Sequence, residues 1–136
     1  MRMSLKEICQ SIYDDVEGAI AVAVVDVSSG MCLDVYHRVS YFDQDYIDLV
    51  SAAAVDMFRG KNVARVEEKL AVQRNKPLAQ SIQEVQMTTT GTLHFMLVLP
   101  EKTDILLLLV TTRKASVGMG WATLRKSIPA VNAALP

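Results

Sequence analysis

What this sequence has little of narrows it first. Aromatic residues make up only 6% of it, so any core must be built from Val, Leu, Ile, Ala and Met. The two cysteines, Cys9 and Cys32, form no Cys-x-x-Cys and each sits among apolar neighbours, which predicts two buried reduced thiols and no disulfide. His37 and His94 are the only histidines, and neither belongs to a His-x-x-x-His or a carboxylate cluster, so no metal site is expected. Charge of either sign is not in excess: the net charge is -1, and no basic cluster is longer than Arg113-Lys114 or Arg125-Lys126. A surface that neutralises many phosphates is missing, which argues against nucleic acid as a partner. The aliphatic run at 105–110 is far short of the roughly 20 residues that span a bilayer, so no membrane insertion is expected. The N-terminal residues show no apolar signal region either, and the expectation is a soluble cytoplasmic domain.

Signatures of catalysis are missing in the same way. The Gly-Met-Gly at 118–120 lacks the third glycine of a dinucleotide turn and the Gly-Lys-Ser/Thr of a phosphate loop. It reads instead as glycines opening a helix, where a missing side chain permits close approach to a sheet. No Gly-x-Ser-x-Gly elbow or Cys/His nucleophile pair occurs. The acidic groups Asp14, Asp15, Glu17 and Asp43, Asp45, Asp48 read as solvated or as helix-start residues, since nothing around them predicts a perturbing pocket. No cofactor is implied, and the chain is not expected to be an enzyme.

What is present is a regular alternation of elements. Residues 4–15 place Leu5, Ile8, Cys9 and Ile12 at helical spacing behind the capping-box pair Ser4 and Glu7, and Gly18 ends the segment. The stretch AIAVAVVDV at 19–27 wants burial on both faces and predicts a central strand. A turn at 28–30 and MCLDVY at 31–36 complete a hairpin. A second helix begins at Asp43 or Asp45 and closes at Gly60. Apolar residues cover most of its circumference, so one side needs a covering element beyond the sheet, or a second chain. Residues 61–80 read as a helical extension followed by a polar connection broken by Pro77. Three strands follow at 81–88, 93–99 and 105–110, the first of them polar enough for an edge, with Glu84 and Gln86 opposite Val85 and Met87. A last helix spans 115–128 and ends at Pro129.

The order helix, strand, strand, helix, three strands, helix predicts an α+β domain: a three-layer α/β/α sandwich around a five-stranded, mostly antiparallel sheet. One domain is expected over 4–128, with 129–136 as a C-terminal tail. Two segments carry a resemblance. VEGAIAVAVVDVSSGMCL, with Gly18, Asp26 and Gly30, and VGMGWATLRKSI, with Gly118 and Leu124-Arg125, resemble the opening and closing elements of the roadblock/dynein light chain family. The similarity runs over about 4–128. It departs at 59–80, where this chain is longer and more charged than the small light-chain members and closer to bacterial ones.

The resemblance implies a non-enzymatic dimerisation and regulatory module. Family members pair through the second helix and third strand, joining two sheets, and bind or regulate small Ras-like GTPases or tether cargo. Carried over, it offers Tyr46, Val50, Ala53, Ala54 and Met57 on the helix, and Ile82, Glu84 and Gln86 on the strand, as homodimer contacts. About half of these are expected to face the chain's own sheet. It offers Arg59 and Arg65 as GTPase contacts, with no arginine identified as a catalytic finger. The competing readings are a small-molecule sensor of profilin-like architecture, with its ligand between sheet and helix, and an enzyme in an unfamiliar fold.

Overall fold

The computed structural model describes residues 2–136; Met1, at the head of the stretch inspected for a leader, lies outside them. The elements are α1 (Leu5–Asp15), β1 (Ala19–Asp26), β2 (Met31–His37), α2 (Gln44–Arg59), α3 (Lys61–Arg74), β3 (Glu84–Thr88), β4 (Thr92–Val98), β5 (Ile105–Thr112) and α4 (Val117–Ala134). The five strands form one sheet in the order β2-β1-β5-β4-β3, antiparallel throughout. Helices α1 and α4 pack on one face and α2 on the other, which is the expected three-layer sandwich.

The two apolar stretches at 19–27 and 105–110 become neighbouring central strands, because both of their faces need cover. Alternation divides their side chains: Val22, Val24, Leu107 and Leu109 point to α1 and α4, while Ala23, Val25, Leu106 and Leu108 point to α2. The start of α1 is fixed by its capping box, with Ser4 Oγ accepting from the Glu7 N–H at 3.1 Å and Glu7 Oε1 accepting from the Ser4 N–H at 3.0 Å. Beyond its end Gly18 adopts a φ of +88°, which a side chain would strain. Within β2 the register slips by one residue, Val24 facing Asp34 while Val25 faces Cys32, so Leu33 forms a bulge on that edge.

Helix α4 meets expectation at one of its two glycines and departs from it at its end. A Cβ at Gly118 would meet only Ser116 Oγ, at 3.9 Å, whereas Gly120 is the residue that lets the helix settle: a Cβ there would stand 2.7 Å from the Phe95 ring. Pro129 does not end the helix, which continues through it to Ala134. Val131 and Leu135 are both buried in the same core as Leu124, so residues beyond 128 pack against the domain and do not trail as a tail. Burial of an apolar stripe over one further turn outweighs the backbone hydrogen bond that the proline removes.

The segment 61–80 also resolves further than expected. Gly60, with φ -61° and ψ 155°, breaks the chain direction, and α3 follows as a separate helix capped by Asn75 in the left-handed region. Both thiols are free: Cys9 is buried and Cys32 half-buried. Burial pushes the Cys9 thiol up to about 12 and raises that of Cys32, so both stay protonated.

Candidate partner-binding face

Asp43 opens α2 by accepting from the Tyr46 N–H at 2.9 Å. Phe42 stacks on Tyr46 with ring centroids 4.5 Å apart, which seats the entry of the helix against the chain before it. Ala54 and Phe58 then point into the sheet, joined by Ser51, whose Oγ donates to the Ile47 carbonyl at 2.9 Å and so is satisfied within the helix. The opposite side of α2 presents Tyr46, Leu49 and Ala53 to solvent, with Leu49 72% exposed. The nearly continuous apolar circumference therefore divides into an inward stripe and an outward one.

That division corrects one predicted contact. Ala54 is 1% exposed and belongs to the chain's own core, so it is not free to meet a partner. Val50 and Met57 lie half-buried on the flanks, and Leu49, not among the predicted contacts, is the most exposed large apolar residue of the helix. Helical spacing from Tyr46 at three and seven residues identifies it.

β3 is a sheet edge, as its polar character predicts. Its two faces are unlike. Val85 pairs across from Met96 and Met87 from His94, so these two lie on the α2 side. Glu84 lies on the α4 side, where its carboxylate takes Arg125 at 2.9 and 3.2 Å. Gln86 follows the same alternation and donates to Thr88 Oγ1 at 2.8 Å. Ile82 precedes the strand and packs against the α2-side core. The predicted trio Ile82, Glu84 and Gln86 is thus split between faces; the β3 residues on the α2 side of the sheet are Val85 and Met87.

The two arginines also differ. The Arg59 side chain is 14% exposed and its Nη2 donates to the Thr103 carbonyl at 2.6 Å, with Asp104 at 3.6 Å. It ties α2 to the turn between β4 and β5, which leaves little of the side chain exposed to a partner. Arg65 stands exposed on α3.

Between the N-terminal half of α2 and the sheet lies an apolar cavity of about 320 Å³, bounded by Ile20, Val50, Leu108, Val110 and His94. His94 shares a 2.8 Å hydrogen bond with Thr92 Oγ1, and burial lowers its pKa, keeping the ring neutral. His37 Nδ1 accepts from the Val39 N–H at 3.0 Å. A groove of about 630 Å³ lies between the end of α1 and the start of α4, with Asp15, Glu17 and Lys114 on its walls. Among the described residues no group of three or more His, Cys, Asp or Glu side chains is placed to hold a metal ion, and no helix is long and apolar enough to cross a membrane.

No protein-family model matches the sequence, and no curated protein matches it either. Solved structures do. MglC from Myxococcus xanthus is 23% identical, with a TM-score of 0.63 over 98% of this chain and 100% of its own. A roadblock/LC7 domain from Streptomyces avermitilis is 13% identical, with a TM-score of 0.64 over 96% of this chain and 99% of its own. MglB from Myxococcus xanthus is 12% identical, with a TM-score of 0.68 over 94% of this chain and 91% of its own. The fold is that of the bacterial-type roadblock domain.

Proposed function

We propose that the chain is a non-enzymatic regulatory and scaffold module that acts as a homodimer in the cytoplasm and binds or regulates a small Ras-like GTPase. The observation that carries the homodimer is the outward stripe Tyr46, Leu49 and Ala53 of α2, on the same side of the molecule as the apolar residues of the unpaired β3 edge. An open strand edge beside exposed apolar surface invites pairing, and a second copy satisfies both at once. A structure of MglB in a tetrameric arrangement is among the similar ones, which supports a self-associating reading of the fold. The GTPase rests on the family resemblance.

Light scattering on the purified chain is expected to give twice the 15.0 kDa protomer mass at micromolar concentration. A clean protomer mass would sink the homodimer. Leu49→Glu is expected to yield a folded monomer, whereas Ala54→Glu, which forces a carboxylate into the core, is expected to unfold the chain. For the partner, binding to a Ras-like GTPase encoded beside this protein is measured in its GDP and GTP states. Binding in neither state removes that half of the proposal.

The apolar cavity favours a second reading, a sensor for a small apolar ligand of profilin-like architecture, since its volume falls at the lower end of the range such sites occupy. A ligand that raises Tm for the wild type but not for Val110→Trp, which fills the space, would support it.

A further inference from the structure

The free border of β3 carries a fixed set of hydrogen-bonding groups. The Val98 N–H donates to the Gln83 carbonyl at 2.9 Å, and the Thr89 N–H donates to the Thr92 carbonyl at 2.9 Å. Odd-numbered residues of this segment therefore turn their backbone groups toward β4. The next pairing agrees: the Leu99 N–H donates to the Ile105 carbonyl at 2.9 Å, so β4 uses its odd residues on β5 and its even ones on β3. Alternation then leaves the N–H and C=O groups of Glu84, Gln86 and Thr88 pointing away from the sheet, at a border no other strand of the chain covers. The side chains of these residues lie on the α4 side, where Arg125 holds Glu84 and Gln86 donates to Thr88 Oγ1. The Thr88 hydroxyl accepts in that bond and keeps its own proton to donate.

A second copy related by a two-fold normal to the sheet lays its β3 antiparallel beside the first and keeps both α2 helices on one side. The possible registers differ in which residue sits on the axis. With Gln86 on the axis, Gln86 faces itself and Glu84 faces Thr88, so all three outward residues of each strand exchange backbone hydrogen bonds. With Val85 or Met87 on the axis, only two of the three find partners within the strand. With Glu84 or Thr88 on the axis only one does, and the Glu84 register also sets carboxylate against carboxylate.

Resting on the homodimer reading, we infer that β3 joins its copy with Gln86 on the two-fold axis. The Thr88 hydroxyl of each copy then donates to the carboxylate of Glu84 in the other, while still accepting from its own Gln86. A polar chain crosses the join twice on the α4 side, running from Gln86 through Thr88 to the second copy's Glu84 and its Arg125. On the α2 side, Val85 of each copy faces Met87 of the other in the close, non-hydrogen-bonded kind of pair. The join is thereby fixed to one register and made specific by side chains, not by backbone groups alone.

Disulfide trapping reads the register directly, because each register brings a different pair into the close position. Val85→Cys and Met87→Cys are made singly, with wild type alongside to account for Cys9 and Cys32. Circular dichroism and light scattering check that each variant is a folded dimer. With a mild thiol oxidant, neither variant alone is expected to cross-link above wild type. An equilibrated mixture of the two is expected to give about tenfold more covalent dimer than either alone. Self-cross-linking by Val85→Cys or by Met87→Cys puts that residue on the axis and overturns the inference, as does a mixture that stays uncross-linked. Thr88→Glu gives a second reading that needs no thiol, since it sets a carboxylate against Glu84 on both sides of the axis. It is expected to raise the dissociation constant of the dimer about fivefold in low salt by analytical ultracentrifugation, and Thr88→Lys is not. Equal weakening by both, or by neither, also overturns the register. A wild type that is monomeric by light scattering removes the homodimer itself, and so is told apart from a dimer joined in another register.

Discussion

On one face of the sheet, α1 and α4 bury Val22, Val24, Phe95, Leu107 and Leu109 between them, and the chain closes that side by itself. On the other face, α2 covers Ala23, Val25, Met96, Leu106 and Leu108, and about 320 Å³ stays unfilled beneath its first half. The strands are common to both faces, so strand composition does not produce the difference. The number of helices and their reach do: the chain spends its third helix, α3, beyond the end of α2 instead of over the cavity. A face completed by its own chain needs nothing further, and a face left half-covered is where an outside group can gain energy by binding.

Leu108 and Leu109 are neighbours on β5 that point to opposite faces, and truncating each gives the most direct way to break the comparison. Leu109→Ala should cost about 4–5 kcal/mol, the upper part of the range for a tightly packed leucine, and Leu108→Ala about 2–3 kcal/mol, because its surroundings already include empty space. Urea denaturation measures both, and equal or reversed costs would refute the contrast. A smaller effect comes from His94 on the open face. Its pKa in the folded chain is lowered by burial, so as pH falls through the ordinary value of about 6.5 the unfolded chain takes up the proton first. Stability is therefore full above that value and declines below it. His94→Gln should flatten the loss of Tm between roughly pH 7 and pH 5.5, before the carboxylates titrate. Smallest of all, Glu84→Gln loses an exposed pair with Arg125 and should change stability by no more than about 1 kcal/mol, still less in high salt.

Much of this fold was legible because the signals were local. The capping box at Ser4 and Glu7, the uninterrupted apolar stretches of β1 and β5 and the polar alternation of β3 each dictate a structure within a few residues. What escaped depends on contacts between distant segments. Pro129 marks a helix end in isolation, but Val131 and Leu135 find a core waiting beyond it. Ala54 and Ala53 are indistinguishable in sequence, and only the rotation of α2 on the sheet decides that one is buried and the other exposed. Arg59 looks like any arginine at a helix end until the Thr103 carbonyl, forty-four positions away, is seen to hold it. The outward stripe could have been found from the spacing of Tyr46, Leu49 and Ala53.

The bulge at Leu33 bears on how far this sheet can grow. β2 and β3 are its two free borders, but β3 runs in unbroken register along β4, whereas β2 slips by a residue midway. A slipped border is a poor template for another strand. A sheet that can be extended at only one border stops after a single addition, because the join uses up that border in both copies. Under the proposed homodimer, the irregular strand leaves the pair as the size at which strand addition ends.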